Sequence, residues 1–461
     1  MLKLIGCGDL FIAHRLPENK YKGFKEISNL IKQHEFRFGN LETTIHYNEG
    51  YPSLFPGGGY AVSTPITLND LKLYGFNVFN IANNHMMDFS HKGLEATIKY
   101  LRDFGMVVAG AGMNLAEACK PRYVECSEGR VALISITSSF HDSDAAGNQS
   151  IDMLGRPGVN PLRHTEVFQI TEPLYTAVKE IADTTGINSN IRWGIENGYI
   201  IEENFLKLKN LSFQMGEENL MISEPLEKDV KRTIMGIQEA RYQSDCIVVS
   251  IHAHQFKGVD SVPDDFVIKF CHKCIEAGAD VILGHGSHIV RGIEKYKNGI
   301  IFYGLGDFIL QNEQVEYLPA DFYEKYNVPF ELYGTVGHAM DTRSHGGRRG
   351  LISNPDAWRS FMVSIDFEHG IKGIKLYPIE LQLYGSKGEK GWPILSKSAD
   401  TLKKLRKLSN DFNTKIDIEK NIEFLFRNME DEIKERNRKR AEIWALKSFR
   451  DRSAFLLEGR N

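Results

Sequence analysis

Cysteine is scarce and scattered, six residues in 461, with no spacing that reads as a disulfide framework, so a reducing compartment is expected. Cys271 and Cys274 form a C-x-x-C, but they fall in a helical pattern with Phe266, Phe270 and Ala277 and read as thiols packed on a helix face. Cys7 reads in the same way, as a buried strand-end thiol. A long apolar run is also missing. The opening Met1–Asp9 is too short for a leader or anchor and reads as a first strand, so a cytoplasmic protein with no membrane span is expected. There is no basic excess: 56 Lys and Arg stand against 60 Asp and Glu, a net charge of −4. That balance releases few counterions from a phosphate backbone and argues against a nucleic-acid partner. Repeats and low-complexity stretches are absent. What remains, 42% hydrophobic and 25% charged, is the composition of an ordinary globular protein, longer than one typical domain.

Short apolar runs alternate with amphipathic stretches, which predicts an α/β sheet. Strands are expected at Leu2–Ile5, Glu35–Phe38, Phe76–Ile81, Val107–Ala109, Val131–Ile136, Cys246–Ile251 and Asp280–Leu283. Two more, Gly292–Tyr296 and Ile300–Tyr303, flank the hairpin signal Asn298-Gly299. Helices are expected from Thr64-Pro65 to Gly75, from a Ser90 cap to Gly105, from Ser223-Glu224-Pro225 onward, and over Asp264–Ala277. Residues 141–222 break the rhythm and read as an insertion of helix and loop. A second irregular insertion spans 311–360, and strands Phe361–Phe367 and Lys372–Pro378 follow it. The domain reading is therefore 1–385, with 386–461 as a charged helical C-terminal extension that includes the mixed-charge run Met429–Arg440.

The chemistry is carried by position. Asp9 follows the first strand, Asn40 and Glu42 the second, and Asn83, Asn84, His85 and Asp88 the third. His252 and His254 end a fourth strand; His285 and His288 follow a fifth. Ligands in open α/β sheets bind beyond the carboxyl ends of strands. Carboxylates, an amide oxygen and imidazoles arriving at five such ends form a candidate divalent metal site. Arginines surround it in sequence: Arg15 beyond Asp9, Arg156 and Arg163 around the segment Gly155–Pro161, and Arg343, Arg348 and Arg349 in the second insertion. Their forks suit carboxylates, so Arg156, Arg343 and Arg348, with Asn40 and His254, are candidate substrate contacts.

Taken in order, Gly8-Asp9, Gly39-Asn40-Leu41-Glu42, Ala82-Asn83-Asn84-His85-x-x-Asp88, His252 and Gly284-His285-x-x-His288, trailed by Gly304–Phe308, resemble the CapA proteins of capsule and poly-gamma-glutamate synthesis. These are divergent relatives of the calcineurin-like metallophosphatases. The resemblance implies an α/β sandwich of two mixed β-sheets flanked by helices, carrying insertions and a helical tail. It implies that Asp9, Glu42 and His288 hold one ion, and that Asn84, His252 and His285 hold a second or the same ion, whether manganese, calcium or zinc. It places His85 as general acid, oriented by Asp88; Arg15, one short loop beyond Asp9, is a further candidate catalytic residue on its position alone. This chain departs from the metallophosphatase pattern at two positions. Phe11 stands where a first-motif His is usual, and Asn40 where a bridging Asp is usual. The expectation is thus a metal-dependent enzyme acting on an amide or acidic peptide such as polyglutamate. The alternatives are a peptide epimerase of the lasso-peptide type, a non-catalytic capsule scaffold, or a phosphoesterase.

Overall fold

A computed structural model describes residues 1–18, 20–383, 386–418 and 424–425. Its scaffold is two mixed sheets packed face to face. In the first, β1 (Leu2–Phe11), β2 (Phe36–Leu41), β3 (Val78–Asn80) and β4 (Val107–Ala109) run parallel in that order. In the second, β5 (Arg122–Cys126) pairs antiparallel with β6 (Gly129–Thr137). The insertion that follows carries β7 (His164–Ile170), β8 (Leu206–Leu208), β9 (Leu211–Met215) and β10 (Leu220–Pro225). Then β11 (Cys246–His252) and β12 (Val281–His285) lie parallel to β6, and the hairpin β13 (Ile293–Tyr296) and β14 (Gly299–Phe302) completes the second sheet. The chain returns to the first sheet with β15 (Asp307–Leu310), β16 (Arg359–Phe367), β17 (Ile371–Leu381) and β18 (Pro393–Leu395).

Side-chain alternation builds the layers. Leu2 and Leu4 of β1 face Val248 of β11 and Leu283 of β12 between the sheets, whereas Ile5 and Cys7 turn outward. There they meet helices α1 (Phe24–Lys32), α2 (Leu68–Tyr74) and α3 (Ser90–Asp103) through Ile27, Ile31, Leu71, Leu94 and Ile98. On the far side, Ile247, Val249 and Ile251 pack under α4 (Glu227–Gln243) and α5 (Asp265–Glu276). Strands buried on both faces explain the unbroken apolar runs of the sequence. The result is an α/β sandwich of two mixed sheets flanked by helices, as expected.

Several local expectations change. The insertion after residue 141 is a four-stranded sheet in the order β8-β9-β7-β10 with two helices, not helix and loop alone. Its strands are largely half-exposed, so apolar alternation is weak there. Ser223-Glu224-Pro225 ends β10 instead of opening a helix, and α4 begins two residues later. Ser90 does not cap α3: it is the first helical residue, at φ 57°, and its hydroxyl donates to Tyr51 O. The boundary at 385/386 falls inside the sandwich, since β18 is an edge strand of the first sheet, Trp392 is buried, and Leu402 and Leu405 of α6 (Asp400–Asn410) enter the inter-sheet core. The run Met429–Arg440 lies outside the described residues. Among the described residues, no helix is long and apolar enough to cross a membrane.

One close approach sets the position of everything that follows. Asp9 pairs in register with Asp307 across β1 and β15, and Asp9 N donates to Gly306 O at 3.1 Å. A Cβ on Gly8 would lie 1.7 Å from that same carbonyl oxygen. Gly8→Ala must therefore push the two strands apart, and we expect it to cost about 3 kcal/mol, at the top of the overpacking range. Urea unfolding measures this; an unchanged midpoint would contradict the crossing.

Candidate metal centre

The five strand ends meet at the carboxyl edge of the two sheets. Asp9, Asn40 and Asn80 stand at one level of β1, β2 and β3, and His252 and His285 at one level of β11 and β12. Asp9, Glu42, His252, His285 and Asp307 form a buried floor, while Asn84, His254 and His288 line its half-buried open side. His252 sits between the carboxylates: its Nδ1 is 3.9 Å from Asp9 Oδ1, and its Nε2 is 3.7 Å from Glu42 Oε1. His285 Nδ1 is 3.7 Å from Asp9 Oδ1, and His288 Nε2 is 3.9 Å from Glu42 Oε1. Asn84 Oδ1 points at His252 Nε2 from 2.8 Å.

Three overlapping sets of ligand atoms result: Asp9 with His252 and His285; Glu42 with His254 and His288; and Asp9, Glu42, His288 and Asp307 together. The chemistry of these sets fits a divalent cation. Both oxygens of Glu42 and Oδ2 of Asp307 are buried without a hydrogen-bond partner, which is costly for a carboxylate facing no charge. His252 Nδ1 faces His285 Nδ1, and His252 Nε2 faces His254 Nε2, each pair at 3.0 Å. Burial and neighbouring histidines push His252 and His254 well below the ordinary imidazole range, and burial takes His285 to about 3. Neutral rings have one N–H each, so lone pairs converge on the same space. Neutral imidazole and carboxylate are the forms that bind metal.

The carboxylates respond in the opposite direction. Burial and the Asp307 charge raise Asp9 to about 7, and burial with the Asp9 charge raises Glu42 well above its usual value. Burial opposes a charge on His288, yet Asp307 and Glu42 outweigh it and carry the ring to about 10. Asp307 is also raised, because burial exceeds what one imidazolium returns; the 2.9 Å His288–Asp307 pair holds a proton as a unit. Surplus buried negative charge is what a cation would neutralise.

Backbone devices hold the ligands. Gly286 sits at φ 94°, donates to Asp9 Oδ2 at 2.9 Å, and leaves no room for a Cβ, which would meet the His252 ring at 2.9 Å. His288 itself adopts φ 56°, a conformation retained when the surroundings dictate it. The fully buried Arg291 donates to the carbonyls of Ala253, His254 and Asp260, fastening the end of β11 to the loop after β12. His85 lies close enough to depress both His252 and His254. Its Nδ1 is 2.7 Å from Asp88 Oδ2, and Asp88 also accepts from Gly57 N and Ala61 N. Asp88 is surrounded by donors, so it accepts from His85 Nδ1–H and leaves Nε2 to act.

Other expected residues stand elsewhere. Asn40 is buried with its amide fully engaged: Nδ2 donates to Asp9 Oδ1 at 2.6 Å, and Oδ1 accepts from Asn80 and Asn83, so it positions Asp9 and offers a substrate nothing. Arg15 turns to Asp70 of α2 through Nε and Nη2 and does not reach the cluster. Arg348 is exposed and donates by Nε to His345 O one turn back. Arg343 is half-buried and lies against Gly59, beside the Gly57 carbonyl that accepts from Asn84. Arg156 is bound by Nε to Ala145 O. Asp307 received no role from the sequence, although its Gly-Leu-Gly-Asp context stood out. It opens β15 instead of ending a strand, and only the parallel register with β1 brings it to the carboxyl edge.

Two substitutions test the charge argument. At pH 8, folding metal-free protein must desolvate the Glu42 carboxylate or protonate it. Glu42→Gln should therefore stabilise the metal-free protein by about 1–3 kcal/mol while abolishing stabilisation by added manganese; a less stable metal-free variant would refute the reading. Asp307→Asn loosens His288 and should weaken manganese binding by about 10–100-fold in calorimetric titration.

The chain matches the family described as "Bacterial capsule synthesis protein PGA_cap" over residues 3–312. It is 30% identical over 432 residues to the uncharacterised protein y4sH of Sinorhizobium fredii, covering 91% of this chain and 92% of that one. It is 24% identical over 319 residues to the capsule biosynthesis protein CapA of Bacillus anthracis, covering 67% of this chain and 59% of CapA. Among solved structures it is similar to a putative 5'-nucleotidase of Staphylococcus aureus determined with alpha-ketoglutarate, at 10% identity and a TM-score of 0.36, covering 89% of this chain and 58% of that one. The chain belongs to the PGA_cap family of bacterial capsule synthesis proteins.

Proposed function

We propose that this protein is a metal-dependent enzyme of polyglutamate metabolism that acts at an amide bond of an acidic peptide chain. The observation that carries this reading is the buried Asp9–Glu42–Asp307 carboxylate group facing neutral imidazoles, with both Glu42 oxygens unpartnered and the His85–Asp88 pair beside it. Asp9, Glu42, His252, His285 and His288 would hold the ion, with Asn84, His254 and Asp307 able to join them. When bound, a divalent cation supplies Lewis-acid polarisation of a carbonyl and lowers the pKa of water. Four imidazoles favour manganese or zinc over calcium, which prefers oxygen ligands throughout.

The residues of the chain do the rest. Asp88 fixes the His85 ring with Nε2 free, so that His85 delivers a proton to a departing amine. Asn40 aims Asp9 through a 2.6 Å bond. Phe11 packs edge-on against His85 with ring centroids 5.3 Å apart, excluding water from one side of the ring. The family relation to capsule synthesis supports an acidic peptide substrate.

His85→Ala should leave bound metal, counted by elemental analysis, unchanged and lower turnover on a γ-linked glutamate oligomer by about 10²–10⁴-fold. A variant that retains full turnover would remove His85 from the chemistry, and a wild-type protein with no turnover would favour a scaffold. Aryl phosphate hydrolysis should stay below about one turnover per second with manganese or zinc; faster hydrolysis would restore a phosphoesterase.

A further inference from the structure

A cavity of about 810 Å³ opens where residues 142–156 meet the first turn of α4, and its wall is cationic. Arg156, Arg163, Lys228 and Arg232 line it against two acids, Asp142 and Asp229. Asp229 is fully buried and already engaged. It accepts two bonds from the Arg163 fork at 3.0 and 3.2 Å and one from Arg232 Nη1 at 2.5 Å. One carboxylate thus serves two guanidiniums and holds them in place. Arg156 uses only Nε, toward Ala145 O at 3.0 Å. Its two terminal nitrogens, the Lys228 ammonium and the buried Arg232 Nε have no partner among the described residues. Lys228 also sits in the first turn of α4, a helix of 17 residues, where backbone N–H groups add positive potential.

The cavity is joined to the centre by one short stretch of chain. Ser138 N donates to His252 O at 3.0 Å, and Ser139 Oγ accepts from His254 N at 2.9 Å. Six residues on, Ala145 and Ala146 form the cavity wall. Between them, His141 is anchored by ring stacking on Phe55 at 3.8 Å. Six extended residues reach at most about 20 Å, a span that a short peptide can bridge.

We propose that this cavity is an anion subsite that takes carboxylates of the acidic chain some residues away from the bond held at the metal centre. The inference rests on the function proposed above and adds to it a place where chain length and charge are read. Arg163 and Arg232, pinned by Asp229, form the rigid base; Arg156 and Lys228 supply charge free to pair with side-chain carboxylates. Binding there would be salt-sensitive and independent of the chemistry at the metal.

Fluorescence anisotropy with labelled γ-linked hexaglutamate and manganese present tests this. Arg156→Glu with Lys228→Glu should weaken binding by about tenfold or more and flatten its salt dependence. Metal content and melting temperature should not change, and Lys99→Glu on the exposed face of α3 should have no effect. Affinity of the double variant within twofold of wild type overturns the subsite and leaves the proposed function standing. If wild type ignores hexaglutamate but binds tripolyphosphate, and the double variant loses it, the anion cavity stands and the polyglutamate reading fails. Binding of neither anion overturns the subsite.

Discussion

Three carboxylates, Asp9, Glu42 and Asp307, are buried at one end of the seam between two sheets, and no lysine or arginine among the described residues pairs with them. In water each would be solvated; here the Glu42 carboxylate has no hydrogen-bond partner among the described residues. Such an arrangement costs several kcal/mol unless a cation compensates it. The surrounding structure is arranged to keep it. β15 returns after the hairpin to lay Asp307 against Asp9, Gly8 and Gly286 permit the close approaches, and Arg291 ties the two histidine-bearing loops together. Family membership explains why such a cluster exists; electrostatics explains why these particular residues surround it.

The layered packing serves this end as well. Each central strand is buried on both faces, so its register is fixed by two cores at once, and slipping any strand by one residue would exchange them. Strand ends inherit that rigidity. His252 and His285 are held level by the β11–β12 ladder, and Asp9, Asn40 and Asn80 by the ladders of β1, β2 and β3. The open side of the site is built differently, from loops. Gly57–Tyr60 supports Asn84 and Asp88, and Phe11, Tyr60 and Phe89 pack with Ala339 and Met340 from the second insertion. The candidate ligands on strand ends are held rigidly, whereas the open side rests on loops, the segments of a fold that vary most.

Much of this was legible in the sequence because strand ends recur as apolar run, Gly and polar ligand. The central strands and the helices they alternate with follow from burial on both faces, and Gly75 ends its helix at φ 112°; the hairpin before Gly299 also forms, but with Lys297 as its left-handed residue. The four-stranded insertion was not legible, since half-exposed strands such as His164–Ile170 carry no clear period of two. Asp307 escaped for a topological reason: it begins its strand, and nothing local says that β15 lies parallel to β1. Arg15 was misread for another. A guanidinium is satisfied by whichever acceptor the fold supplies, and Arg15 finds Asp70, 55 residues along the chain.

Asn40 shows how the departure from the phosphatase pattern is accommodated. A carboxylate at this position would face Asp9 at the 2.6 Å separation where the amide now donates, and the two charges would repel. The amide removes that repulsion and gains a second role, because its oxygen accepts from Asn80 and Asn83 and so couples β2 to the loop that carries Asn84 and His85. The negative charge absent at 40 reappears two residues on at Glu42 and across the seam at Asp307. Phe11 completes the exchange. Where an imidazole would have added a ligand, an apolar ring packs against His85 and makes that histidine's surroundings drier. With Nδ1–H held by Asp88, a protonated ring would present its Nε2–H on the side away from Asp88, which is the geometry a proton donor needs. The two substitutions therefore act together: one rebuilds the cluster around an orienting amide, and the other places an apolar ring against the neighbouring histidine.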